Sequence, residues 1–165
     1  MFLFGQPDCI YATWPTLLEL QFQRIGDALR TLSLNARRSY DEPFTSELPV
    51  VLLKVSHDDL DEPIRLSTDP TERLSVDPIA YGTNSTWLTD DSSPFLFILA
   101  SVDLPDDKSE VLPFATITLE GIAQDVTTVL RQTTGRADVD IAVVMASSPD
   151  LVEYQYLGME LIGFD

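Results

Sequence analysis

Residues 48–55 read LPVVLLKV, a continuous apolar run of the length of one strand. After a short acidic stretch, IRLS at 64–67 can return beside it as a second strand. FLFILASV at 95–102 is the most apolar segment of the chain and belongs in the core. FATITL at 114–119 alternates, with Ala115, Ile117 and Leu119 on one face and Phe114, Thr116 and Thr118 on the other, as a half-buried strand does. Residues 139–145 and 152–162 are further strand-like runs. Between the runs at 114–119 and 139–145, Ile122, Val126, Val129 and Leu130 recur at helical spacing, with Gly135 where a C-cap belongs. The pattern predicts an α+β, mainly β fold: an antiparallel β-sandwich or barrel with one packed helix over residues 120–133.

The N-terminal part reads differently. Leu18, Phe22, Ile25, Leu29 and Leu32 recur at alternating spacings of four and three, and Pro15 suits a first helical turn. An amphipathic helix is therefore expected over residues 15–34, packed on its own domain or docked on another subunit. The expected division is an N-terminal extension over residues 1–38 and a β-rich domain over 39–165. Asp69-Pro70-Thr71-Glu72 has the cap, proline and acid order of a single helical turn. The basic pair Arg37-Arg38 lies close to Asp41 and Glu42, with which a hinge ion pair is expected.

Composition excludes several functions. The chain has 165 residues, 44% of them apolar, which suits one domain with a real core. It carries 27 acidic against 10 basic residues, a formal charge of −17. That balance argues against sequence-specific nucleic-acid binding, where cationic contacts supply the affinity. Cys9 is the single cysteine, so an internal disulfide or a cysteine metal cluster is excluded. The opening residues have no basic n-region, and no window approaches the roughly 18 apolar residues of a membrane span. A soluble protein made in a reducing cytoplasm is expected.

Chemistry-bearing motifs are few. His57 is the only histidine, and it precedes Asp58, Asp59, Asp61 and Glu62. This acidic stretch lacks the glycine and the spacing of a calcium loop, and one histidine with a remote cysteine cannot hold zinc. There is no nucleophile elbow and no glycine-rich phosphate loop. The expectation is an acidic turn, no cofactor, no metal and no enzyme.

Five phrases in serial order carry a resemblance: NARRSYDEPFTSELPVVLLKVSHDDLDEPIRLSTDPTERL, YGTNSTWL, FLFILASVDLPDD, FATITLEGIAQDVTTVLRQTTG and ADVDIAVVMASSPDLVEYQYLGMEL. Over about four fifths of its length the chain resembles tail proteins of long-tailed bacteriophages (siphophages), encoded between the tape-measure and host-specificity genes. The resemblance implies a virion component at the tail tip, made in the bacterial host cytoplasm, that forms a distal-tail or baseplate ring or hub. The implied homo-oligomer is a hexameric ring, with a trimeric hub as the variant. Its implied partners are the tail tube, tape-measure, hub and host-specificity proteins. Family members begin near the NARRSY phrase, so the N-terminal helix is an addition, and Leu18, Phe22, Ile25 and Leu29 are expected to contact another subunit. Asp58, Asp59, Asp61 and Glu62 would form a loop facing either a subunit or the channel, where like charge keeps passing DNA from adhering. A tail assembly factor absent from the finished particle is the other class of function considered.

Overall fold

The computed structural model describes residues 18–24, 28–88, 94–104, 114–120 and 136–164. The described chain is mainly β, as the pattern predicted, with one helix at a place the pattern did not predict, and its strands form one mixed sheet that is not a closed barrel. The strands are β1 (Leu18–Arg24), β2 (Ala28–Arg30), β3 (Pro49–Ser56), β4 (Ile64–Ser67), β5 (Glu72–Val76), β6 (Ile79–Asn84), β7 (Pro94–Phe97), β8 (Leu99–Asp103), β9 (Phe114–Glu120), β10 (Asp138–Met145) and β11 (Ser148–Phe164), with helix α1 at Leu34–Asp41. Their order across the sheet is β5-β6-β7-β4-β3-β10-β11-β1-β9-β8, and β2 also lies along β11.

The run at 48–55 becomes β3, the strand beside β10 at the centre of the sheet. Its apolar residues serve two cores. Leu53 and Val55 join Val139 and Ile141 of β10 on one face, while Val50 and Leu52 join Ala142 and Val144 on the other. Both faces are therefore apolar, which is why the sequence shows a solid run and not an alternation.

On the first face the sheet rolls over itself. Leu53, Ile141, Tyr156 and Met159 meet Ala115, Ile117 and Leu119 of β9. The chain forces this roll at Ile98. Phe97 is paired in parallel with Ser67 of β4, Ile98 donates its N–H to the Ser67 carbonyl (2.8 Å), and Leu99 already lies opposite Glu120 of β9. One buried residue thus links β7 to β8, which stands at the far end of the sheet order. The 95–102 run, read as one segment, is two strands with different partners. A bend at which the chain changes pairing makes such corners.

The second face is covered by the loop after β6. Trp87 is buried and packs on Phe95, ring centroids 6.0 Å apart, and its indole N–H reaches Gln155 Oε1 (3.3 Å). The loop is tied to the start of β11: Ser85 Oγ donates to the Pro149 carbonyl (2.7 Å), and Thr86 donates from N and Oγ1 to Asp150 Oδ1 (2.7 and 2.9 Å). Gly82 of β6 sits where a Cβ would come within 2.0 Å of the Phe95 carbonyl oxygen, so β6 and β7 approach closely only because this residue has no side chain.

Two expectations are corrected. The N-terminal helix over 15–34 is absent: Leu18–Arg24 and Ala28–Arg30 are strands, and the helix of this region starts later, at Leu34. The heptad-like spacing competes there with a strict alternation in LELQFQR, and pairing on both sides favours the strand. β1 lies between β11 and β9, with Leu18, Leu20 and Phe22 opposite Leu119, Ile117 and Ala115. The helical turn at Asp69–Glu72 is also absent. Thr83 Oγ1 and Ser67 Oγ both bond the Asp69 carbonyl, and Glu72 begins β5. The helix expected over 120–133 lies outside the described residues, apart from Glu120 at the end of β9.

Replacing Trp87 by Ala should lower the unfolding free energy by about 3–5 kcal/mol, the usual cost of emptying a large aromatic site. Urea unfolding followed by circular dichroism measures it, and a loss below about 1 kcal/mol would show that the outer core does not depend on this ring.

Candidate functional site

α1 is docked by one carboxylate. The register of β10 with β11 shifts between Val143, opposite Tyr154, and Val144, opposite Val152, leaving Glu153 as the extra residue of a bulge. Bulges re-aim side chains. Glu153 is 1% exposed, and its two oxygens accept from the Ser33 N–H and the Ser33 Oγ, both at 2.5 Å. Ser33 Oγ in turn accepts from the Ala36 N–H (3.1 Å) as the N-cap of α1. The Glu153 carbonyl holds Thr31 N–H (2.9 Å). Glu153 therefore does from a distant strand what the acid of a capping box does locally.

Tyr40, near the end of α1, feels the same neighbourhood. Partial burial of its phenol, with Tyr154 and Glu153 nearby, raises its pKa above the ordinary 10.0. The segment after α1 turns outward. Phe44 is 92% exposed, and Leu34 and Leu48 are also exposed. A groove of about 300 Å³ beside α1 is lined by Arg38, Glu42, Phe44 and Glu47 among others. The hinge ion pair expected there does not form: among the described residues neither Arg37 nor Arg38 pairs with Asp41 or Glu42.

The acidic stretch is a turn between β3 and β4, as read. Leu60 N–H closes it on the His57 carbonyl (3.0 Å), and Asp59 N–H donates to His57 Nδ1 (3.0 Å). Asp59 Oδ2 also lies 3.4 Å from the same ring nitrogen. Asp58, Asp59, Asp61 and Glu62 are exposed. Among the described residues no three of His, Cys, Asp and Glu are grouped as a metal site requires.

Of the residues expected at a subunit contact, Leu18 and Phe22 lie in β1 and Leu29 lies in β2 opposite Gln155, while Ile25 is outside the described residues. They do not form one helical face. Among the described residues, the β5–β6 hairpin is one place where apolar side chains are exposed. β5 pairs only with β6 among the described strands, and Val76, Ile79 and Tyr81 of this hairpin are 71%, 64% and 46% exposed. Sequence reasoning passed over these three because isolated apolar residues in a short hairpin carry no periodic signal. No helix among the described residues is long and apolar enough to cross a membrane. Comparison with protein-family models, curated proteins and solved structures gives no match for the chain.

Two measurements test the docking of α1. Glu153→Ala strands the Ser33 donors and should cost about 1–3 kcal/mol, as should Ser33→Ala, while the double variant should cost clearly less than the sum of the two. Additive losses in a urea double-mutant cycle would rule out the coupling. For Tyr40 the sign follows from its direction. The unfolded chain releases the phenolic proton first, so stability falls as pH rises from about 10 through the higher folded pKa. Tyr40→Phe should flatten that decline relative to the parent protein in thermal melts between pH 9 and 11, and an unchanged slope would exclude the effect.

Proposed function

We propose that this protein is a structural subunit of a siphophage tail tip, one of the layers that joins the tail tube to the host-recognition apparatus and encloses the DNA path. What supports the reading is the serial order of the five sequence phrases, which resembles that of such tail proteins. The architecture is compatible with it in three respects. A rolled sheet with a doubly packed centre supplies a rigid body. β5, which pairs only with β6 among the described strands, offers backbone groups and exposed apolar side chains to a neighbour, and such edges invite pairing. The acidic turn after β3 is exposed and anchored at His57, as a channel-lining or subunit-contacting loop would be.

In this reading the subunits form a closed ring, hexameric by preference, through contacts between different surfaces of successive copies. The high negative charge then serves the channel, because a wall of like sign repels the polyanion within a Debye length of about 10 Å. The tail tube, tape-measure, hub and host-specificity proteins are its neighbours.

Gold-labelled antibody against this protein, applied to purified phage particles and viewed by electron microscopy, should mark only the distal end of the tail. Label along the whole tube or on the head would contradict a tip location. Absence from intact and opened particles, with abundant protein in infected cells, would replace the structural subunit with an assembly factor.

A further inference from the structure

The turn after β3 is organised by the chain's only histidine, and the histidine holds it through an acceptor atom. The His57 side chain is 7% exposed, and its Nδ1 accepts the Asp59 N–H (3.0 Å), while Asp59 Oδ2 lies 3.4 Å from that same nitrogen. One ring atom therefore faces a donor and an acceptor of a single residue. An imidazole nitrogen serves only one of them at a time, because without a proton it accepts and with one it donates. The neutral ring, carrying its proton on Nε2, suits the backbone N–H. The doubly protonated ring must release that N–H, and its new Nδ1–H gains a charge-assisted bond by turning to the carboxylate.

Histidine is the side chain whose charge ordinarily changes between pH 5 and 8. The charged groups on the elements beside the ring are mostly acidic. Asp58, Asp61 and Glu62 share its turn, and Asp138 at the start of β10 stands opposite Ser56, the residue before it. Glu160 of β11, opposite Asp138, is bonded by Arg136 (2.7 Å). The cations of the β3–β4 hairpin, Lys54 and Arg65, stand opposite each other further down the strands. A proton arriving at Nδ1 thus has a carboxylate within reach and has one backbone bond to displace. We propose that His57 is a proton-operated latch of the acidic turn: neutral, it fixes the turn through the Asp59 N–H, and protonated, it releases that N–H, draws in the Asp59 carboxylate and changes how the turn presents its acids.

NMR of the full ¹⁵N,¹³C-labelled chain, titrated from pH 8 to 5.5, reads ring and backbone together. At pH 8 the ring ¹⁵N shifts should place the proton on Nε2. As the ring takes up its second proton, the Asp59 and Leu60 amides and the Asp59 carboxyl carbon should move with the ring's midpoint, and the carboxyl carbons of Asp58 and Asp61 should move less. His57→Gln keeps an acceptor but takes up no proton in this range, so its Asp59 and Leu60 amides should stay still. The parent titration decides by itself should that variant fail to fold. Any of four results overturns the latch: a neutral ring protonated on Nδ1, a ring that takes up no second proton down to pH 5.5, Asp59 and Leu60 amides that do not follow the ring, or amides that move equally in His57→Gln.

Discussion

The pairing of β10 with β3, eight residue pairs from Asp138 opposite Ser56 to Met145 opposite Pro49, is the contact on which the rest of the molecule rests. It is the part of the sheet whose two faces are both covered. Val50, Leu52, Val139, Ile141, Ala142 and Val144 are all 0% exposed. Each larger side chain among them contributes about 1.5–3 kcal/mol of transfer free energy. Because apolar groups leave the pair in both directions, the remaining chain must supply two covers. The β9 side rolls over one face through the corner at Ile98, and the Trp87 loop closes the other through its bonds to Pro149 and Asp150.

This arrangement explains what the sequence made legible. Strands that lie at the centre or alternate cleanly stood out, and the runs at 48–55, 64–67, 114–119 and 139–145 correspond to β3, β4, β9 and β10. The N-terminal segment misled because LELQFQR satisfies two periods at once, and only its partners β9 and β11, far along the chain, decide between them. The corner at Ile98 was hidden for a related reason. An apolar run shows that a segment is buried, not that it changes neighbours in the middle.

The candidate sites divide along the same line. The acidic turn was readable, since its exposure follows from local composition alone. The Glu153 bulge, the apolar β5–β6 hairpin and the approach of Asp59 to His57 Nδ1 were not, because each is a relation between a residue and what the fold places near it. Together they describe a rigid centre with its interaction-prone features at the periphery: the β5 edge at one end of the sheet order, and α1 with its groove fastened to β11 by Ser33 and Glu153. The proposed role of a subunit that works by assembly needs that separation, since surfaces can meet partners only if the core does not depend on them.

Native-state hydrogen exchange in rising denaturant tests the separation most directly, because it reads the opening free energy of each element. Amides of Leu52, Leu53, Ile141 and Ala142 should exchange only by global unfolding, while those of the β5–β6 hairpin exchange through smaller, local openings. Exchange from β3 and β10 at a lower free energy than from the hairpin would contradict the account, since the centre would then be no more stable than the edge it is held to support.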